Sequence, residues 1–67
     1  MQLTINGKIT EVKAGVSLVE LLKSYKLNPD ITIVERNREI LTRDKFDTIT
    51  LTDGDVLELI RYMGGGQ

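Results

Sequence analysis

The residues that raise a chemical question stand at the end of the sequence, where Met63 is followed by three glycines and Gln67. Glycine carries no reactive side chain, and it loses more backbone entropy on ordering than any other residue. We therefore predict that residues 63–67 form a flexible tail and that residues 1–62 form the folded domain. Such a tail either has no role or is held by another molecule.

The other side chains offer little catalytic chemistry. The sequence contains no cysteine and no histidine, which excludes a thiolate nucleophile, an imidazole base and a soft-metal site. Glu35, Glu39, Asp53 and Asp55 could suggest paired catalytic carboxylates. Asp53 and Asp55 flank Gly54, however, and this pattern is typical of a turn.

Length and charge limit the possible partners. The 67 residues suffice for one domain, and without disulfides or a metal it must be stabilised by apolar packing. The net charge of −1 and the three aromatic residues argue against nucleic-acid binding. No apolar run is long enough for a signal peptide or a membrane span, so we predict a cytoplasmic protein without a membrane partner.

The N-terminal residues predict a β-hairpin around Asn6-Gly7, because both residues tolerate positive φ. A two-residue loop would place Ile5 opposite Lys8, whereas a three-residue loop with a bulge would place Ile5 opposite Ile9. We favour the bulge because it would bury both isoleucines, although the sequence leaves the register open.

One convincing helix follows. Ser17 is a good N-cap, and Glu20 completes a capping box. An apolar stripe at helical spacing predicts the core-facing side of this helix, which we expect Asn28-Pro29-Asp30 to stop. The stripe comprises Leu18, Leu21, Leu22 and Tyr25.

The second half of the chain predicts further strands. The segments ITIVE (31–35), IL (40–41) and VLELIRYM (56–63) are typical of strands, and a helical turn between the last two would anchor Phe46. In the last strand Leu57 and Leu59 fall on one face, and Val56, Glu58, Ile60 and Tyr62 on the other. The order β-β-α-β-β-β predicts an α+β fold with a mixed sheet of four to five strands over one main helix. If the first and last strands are neighbours in the sheet centre, the tail leaves from one end of the sheet.

This order resembles the β-grasp fold of ubiquitin and its bacterial sulfur-carrier relatives. The segment VERNREI (34–40) with Arg43, followed by LTDGDVLELIRYMGGG (51–66), resembles more narrowly the ThiS family of thiamine thiazole biosynthesis. The start MQLTINGKI and the helix SLVELL fit the same family, so the resemblance covers essentially the whole chain.

The resemblance implies a carrier that is not an enzyme and binds no cofactor. A ThiF-type activating enzyme would use ATP to adenylate the carboxylate of Gly66, and Gly64 and Gly65 would let the tail thread a narrow channel of that enzyme. A sulfur donor such as a cysteine desulfurase would then convert the adenylate to a thiocarboxylate, which delivers sulfur to thiazole synthase. Ile60 and Tyr62 are either ordinary exposed apolar residues or a docking patch for these partners.

Gln67 departs from the family pattern, in which the simplest members end at the second glycine of the pair. We predict that Gln67 must be removed before Gly66 can be activated. A JAMM-type metalloprotease is the candidate enzyme, as in carriers for cysteine or homocysteine synthesis. The alternatives are that the activating enzyme tolerates Gln67 or that this residue was added to the natural chain by cloning.

Other functions remain open at this stage. These are the small subunit of molybdopterin synthase and a ubiquitin-like interaction module without tail chemistry. A release-factor role for the GGQ tripeptide has little support in so small an acidic chain. Arg36, Arg38, Arg43 and Arg61 could steer an acidic partner, but we expect them to be solvated surface residues that balance the acidic ones.

Overall fold

The computed structural model describes residues 1–61, and within them the predicted order of elements is confirmed. The predicted boundary between domain and tail, after Tyr62, lies outside the described residues. The strands are β1 (Gln2–Ile5), β2 (Lys8–Glu11), β3 (Thr32–Arg36), β4 (Glu39–Leu41) and β5 (Val56–Arg61). Helix α1 spans Leu18–Ser24, and 3-10 turns span Pro29–Ile31 and Arg43–Thr48.

The five described strands form one mixed sheet in the order β2-β1-β5-β3-β4. Strands β1 and β5 are parallel neighbours near the centre, and the other neighbouring pairs are antiparallel. Together with α1 this is the predicted α+β, β-grasp arrangement. Strand β5 therefore has a partner on each side, β1 and β3.

The predicted register of the first hairpin is wrong. The loop has two residues, so Ile5 pairs with Lys8, and Ile9 pairs with Thr4. Asn6 and Gly7 both have positive φ, 50° and 81°, as a tight hairpin turn requires. No residue of the edge strand β2 is buried, so the bulged register gains nothing from burial of Ile9. The two-residue turn therefore determines the register.

Helix α1 begins with the predicted capping box. The Ser17 hydroxyl accepts a hydrogen bond from the Glu20 amide, and the Ser17 amide donates to the Glu20 carboxylate, both at 3.1 Å. The hydrogen bond from the Ser17 amide lowers the pKa of Glu20. The prediction that Tyr25 lies on the core-facing side of the helix is wrong. This side chain is 42% exposed because the helix ends at Ser24 and the backbone turns at Lys26, where φ is 58°.

The core lies between α1 and the inner face of the sheet. Phe46, on the Arg43–Thr48 turn, is buried as predicted and belongs to this core. The other buried apolar residues are Leu3, Ile5, Leu18, Leu21, Leu22, Val34, Leu51, Leu57 and Leu59. The two predicted faces of β5 are confirmed for its described part, because Leu57 and Leu59 are buried and Val56 and Ile60 are exposed.

Candidate functional site

The end of β5 is the part of the described structure from which the predicted tail continues. Strand β5 ends at Arg61, five residues before Gly66. The candidate residues Tyr62, Gly64, Gly65, Gly66 and Gln67 lie outside the described residues, so their roles stay predictions. Ile60, the remaining candidate, lies on the open face of the sheet and is 51% exposed.

Ile60 belongs to a larger group of exposed aliphatic residues that the sequence alone did not bring together. Its cross-strand neighbour Ile33 is 39% exposed, and Val56 on β5 and Ile40 on β4 are exposed as well. We call Ile33, Ile40, Val56 and Ile60 the open-face patch. The alternation of Thr32, Ile33 and Val34 was the available signal, but only the strand order shows that β3, β4 and β5 combine these residues.

Two glutamates lie on the same face among these isoleucines. Glu35 of β3 stands directly opposite Glu58 of β5. Like charges in this cross-strand position are unfavourable. None of the residues that the described strands direct toward this face is Lys or Arg, so the face is apolar and acidic.

The asparagine of the first hairpin turn extends the pairing between β1 and β5. The backbone amide of Asn6 donates to the Leu57 carbonyl at 2.9 Å. Its side-chain oxygen accepts from the Leu59 amide at 2.8 Å, and its side-chain nitrogen donates to the Leu59 carbonyl at 3.3 Å. Asn6 therefore pairs with Leu59 after β1 has turned away.

A second asparagine holds the start of β5. Asn37 has the same φ of 50° in the turn between β3 and β4. Its side-chain oxygen accepts from the Val56 amide at 2.9 Å, and its side-chain nitrogen donates to the Asp55 carboxylate at 3.0 Å. Two turn asparagines thus bind β5, Asn37 at its first residue and Asn6 at Leu59.

Asp55, the partner of the Asn37 side chain, is a buried carboxylate that accepts several hydrogen bonds. The Arg36 guanidinium lies 2.9 Å from its carboxylate, and the Thr52 amide donates to it at 2.9 Å. Burial alone would raise the pKa of Asp55, but the hydrogen bonds from Thr52, Asn37 and Arg36 outweigh burial and lower this pKa. The prediction that Arg36 is a solvated surface residue is therefore wrong, because its side chain is only 25% exposed and ion-paired.

Comparison with known families agrees with this architecture. The profile of the ThiS family matches residues 3–66, nearly the whole chain. The chain belongs to the ThiS family. This match ends at Gly66 and leaves Gln67 outside it. The VERN and DGD segments that resemble the ThiS family thus contribute Arg36, Asn37 and Asp55 to one hydrogen-bonded group.

Individual relatives of this ThiS-family chain include whole proteins of the same size. The sulfur carrier protein ThiS of Bacillus subtilis is 40% identical over 65 residues, which cover 96% of this chain and 98% of that protein. The crystal structure of the thiamine biosynthesis protein ThiS from Geobacter metallireducens matches with a TM-score of 0.84. Its sequence identity is 40%, and the match covers 98% of this chain and all of that one.

A larger protein also matches the ThiS-family chain. A thiazole synthase of Magnetococcus marinus is 31% identical over all of this chain, which spans 21% of that enzyme.

Within residues 1–61, no group of carboxylates has an arrangement suited to a metal ion. The helices of this described part are too short or too polar to cross a membrane.

Proposed function

We propose that this chain is a sulfur carrier that supplies thiazole formation in thiamine biosynthesis, with Gly66 as the carrier residue. As a ThiS-family protein it is a carrier and not an enzyme. The observation that carries the proposal is the family match over residues 3–66, which ends at the second glycine of a pair. The Bacillus subtilis relative, a sulfur carrier of nearly equal length, supports it.

The chemistry follows from the poor reactivity of a carboxylate. A ThiF-type adenylyltransferase would join the Gly66 carboxylate to the AMP part of ATP and release pyrophosphate, which creates a good leaving group. The persulfide of a donor such as a cysteine desulfurase would then displace AMP to form an acyl disulfide, and a thiol reductant would cleave the S–S bond and leave the thiocarboxylate. Gly64 and Gly65 provide a backbone without side chains that a narrow enzyme channel can admit.

Thiazole synthase is the proposed acceptor of the sulfur. The Magnetococcus marinus thiazole synthase contains a segment similar to this whole chain, which supports an association between carrier and synthase. The open-face patch, with Tyr62, is the proposed docking surface. Because Glu35 and Glu58 lie beside the patch on the same face, the partner surface should be apolar and carry an arginine or a lysine.

Gln67 must be removed before Gly66 presents a free carboxylate, and a JAMM-type protease is a suitable class of enzyme for this cleavage. The position of Gln67 immediately after the matched glycines also favours a second candidate function, a masked carrier for cysteine or homocysteine synthesis. Both functions use the same activated Gly66, and they differ in the enzyme that accepts the sulfur.

The test is reconstitution with a ThiF-type adenylyltransferase, ATP, a cysteine desulfurase, cysteine and a thiol reductant, followed by intact mass measurement. We expect a variant that ends at Gly66 to gain the mass difference between sulfur and oxygen, only when ATP is present. A variant that ends at Gly65 and the chain that retains Gln67 are the matched controls and should not change. If the Gly66 variant also keeps its mass, the non-covalent interaction module becomes the better description.

A further inference from the structure

Strand β5 is held unequally along its two edges. On the β3 side, the pairing continues to Arg61, which stands opposite Thr32. On the β1 side, the last backbone pair is Ile5 with Leu57, and the chain then turns at Asn6-Gly7. Beyond Leu57, the described contacts on the β1 side are the two hydrogen bonds between the Asn6 side chain and Leu59.

We propose that Asn6 is a positioning residue for the carrier reaction. It does not touch the reacting atoms. By pairing with Leu59, its amide supplies the last described contact of β5 on the β1 side. Together with the pairing of Arg61 with Thr32 on the β3 side, this contact sets the direction in which the chain leaves the sheet. This inference rests on the proposed function, because the group to be delivered is the Gly66 carboxylate.

The distances explain why this contact matters. Gly66 lies five positions after Arg61, and five residues of extended chain span about 17 Å. Once an enzyme channel holds the tail extended, a small change of direction at the strand end therefore becomes a large displacement of the carboxylate. Because adenylation needs the carboxylate oxygen in line with the phosphorus of ATP, misplacement lowers the rate even when docking is intact.

Asn37 provides a matched control within the same strand. Both asparagines have a φ of 50° and pair with a β5 residue through their side-chain amides. Asn37 acts at Val56, the first residue of β5, whereas Asn6 acts at Leu59, close to the exit. Glycine tolerates this backbone conformation, so Asn6→Gly and Asn37→Gly keep the turns and remove only the side-chain hydrogen bonds.

The experiment measures pyrophosphate exchange by a ThiF-type adenylyltransferase at varied carrier concentration, with all carriers ending at Gly66 and folded by circular dichroism. We expect Asn6→Gly to lower kcat about tenfold with KM changed less than about twofold. Asn37→Gly should leave both constants close to the parent value. Asn6→Asp keeps the acceptor for the Leu59 amide and should recover part of the lost kcat.

Amide hydrogen exchange by NMR tests the contact without the enzyme. The Leu59 amide should exchange faster in Asn6→Gly, and the Val56 amide faster in Asn37→Gly. Unchanged Leu59 exchange, a parent-like kcat in Asn6→Gly, or an equal loss of kcat in Asn37→Gly would overturn the inference. If the parent carrier supports no pyrophosphate exchange, the proposed function fails, and with it the role of Asn6 in that reaction, even where Leu59 exchange shows the contact itself.

Discussion

One face of the sheet packs against α1 and the Arg43–Thr48 turn, whereas the other face is open, and β5 contributes aliphatic side chains to both. Leu57 and Leu59 are at most 7% exposed, whereas Val56 and Ile60 are about half exposed. Residues of similar hydrophobicity therefore serve different purposes on the two faces of one strand. The inner set stabilises the domain, and the outer set is available to a partner.

The largest expected effect is the difference in stability between a truncation on the inner face of β5 and one on its outer face. Leu59→Ala should lower the free energy of unfolding by about 3 kcal/mol, because it leaves a cavity in the core. Ile60→Ala, the matched change on the neighbouring residue, should cost less than about 1 kcal/mol because Ile60 is already half exposed. Urea denaturation of both variants measures the difference, and equal losses would show that the two faces of β5 do not differ as described.

A second prediction concerns the polar group at the start of β5. The pKa of Asp55 is lowered in the folded protein, so its charge stabilises the fold above the ordinary pKa of about 4. This contribution disappears as pH falls through the lowered folded-state pKa. Asp55→Asn should cost about 2 kcal/mol at pH 7, because it replaces the charged partner of Arg36.

The measurement for Asp55 is stability as a function of pH, from urea denaturation between pH 7 and pH 2. The parent should lose stability on acidification, and Asp55→Asn should lose less, so that the two curves converge at the acid end. Asp47→Asn removes an exposed carboxylate on the Arg43–Thr48 turn and is the control for general charge effects. Parallel curves for the parent and Asp55→Asn would contradict this assignment.

The smallest expected change in stability comes from the two glutamates that face each other on the open face of the sheet. Glu58→Gln should stabilise the domain by about 0.5 kcal/mol, because it removes the like charge opposite Glu35. The same change should weaken binding to the ThiF-type adenylyltransferase about tenfold, because a basic partner residue loses its carboxylate.

Calorimetric titration measures this affinity, and Glu39→Gln is the matched control. Glu39 is exposed on β4 but alternates with Ile40, so it does not share the open face. Its neutralisation should leave binding close to the parent value. If Glu39→Gln weakens binding as much as Glu58→Gln does, general charge steering rather than a local basic contact explains the effect.

Local sequence patterns predicted much of the fold. Ser17 and Glu20 make their capping box from neighbours in sequence, and the alternation in β5 defines its two faces without any distant partner. The register of the first hairpin could not be predicted in this way. Burial of Ile9 was assumed in the choice of the bulge, but β2 is an edge strand in which no residue is buried.

The candidate site was predicted only in part. Ile60 was identified from its strand, but Ile33 and Ile40 join it through pairing that no local pattern reveals. Arg36 looked like a solvated residue because its partner Asp55 is distant in sequence. The role of Asn6 as a turn residue was evident, whereas its contact with Leu59 joins residues far apart in the chain.

The sequence by itself determined the elements, the helix cap, the inner face of β5 and the glycine tail, because each depends on residues within a few positions of one another. The tertiary structure decided the hairpin register, the Arg36–Asp55 pair, the open-face patch and the two asparagine contacts with β5. These features depend on which strands become neighbours, and strand order follows from the best common burial of the whole core rather than from any single segment.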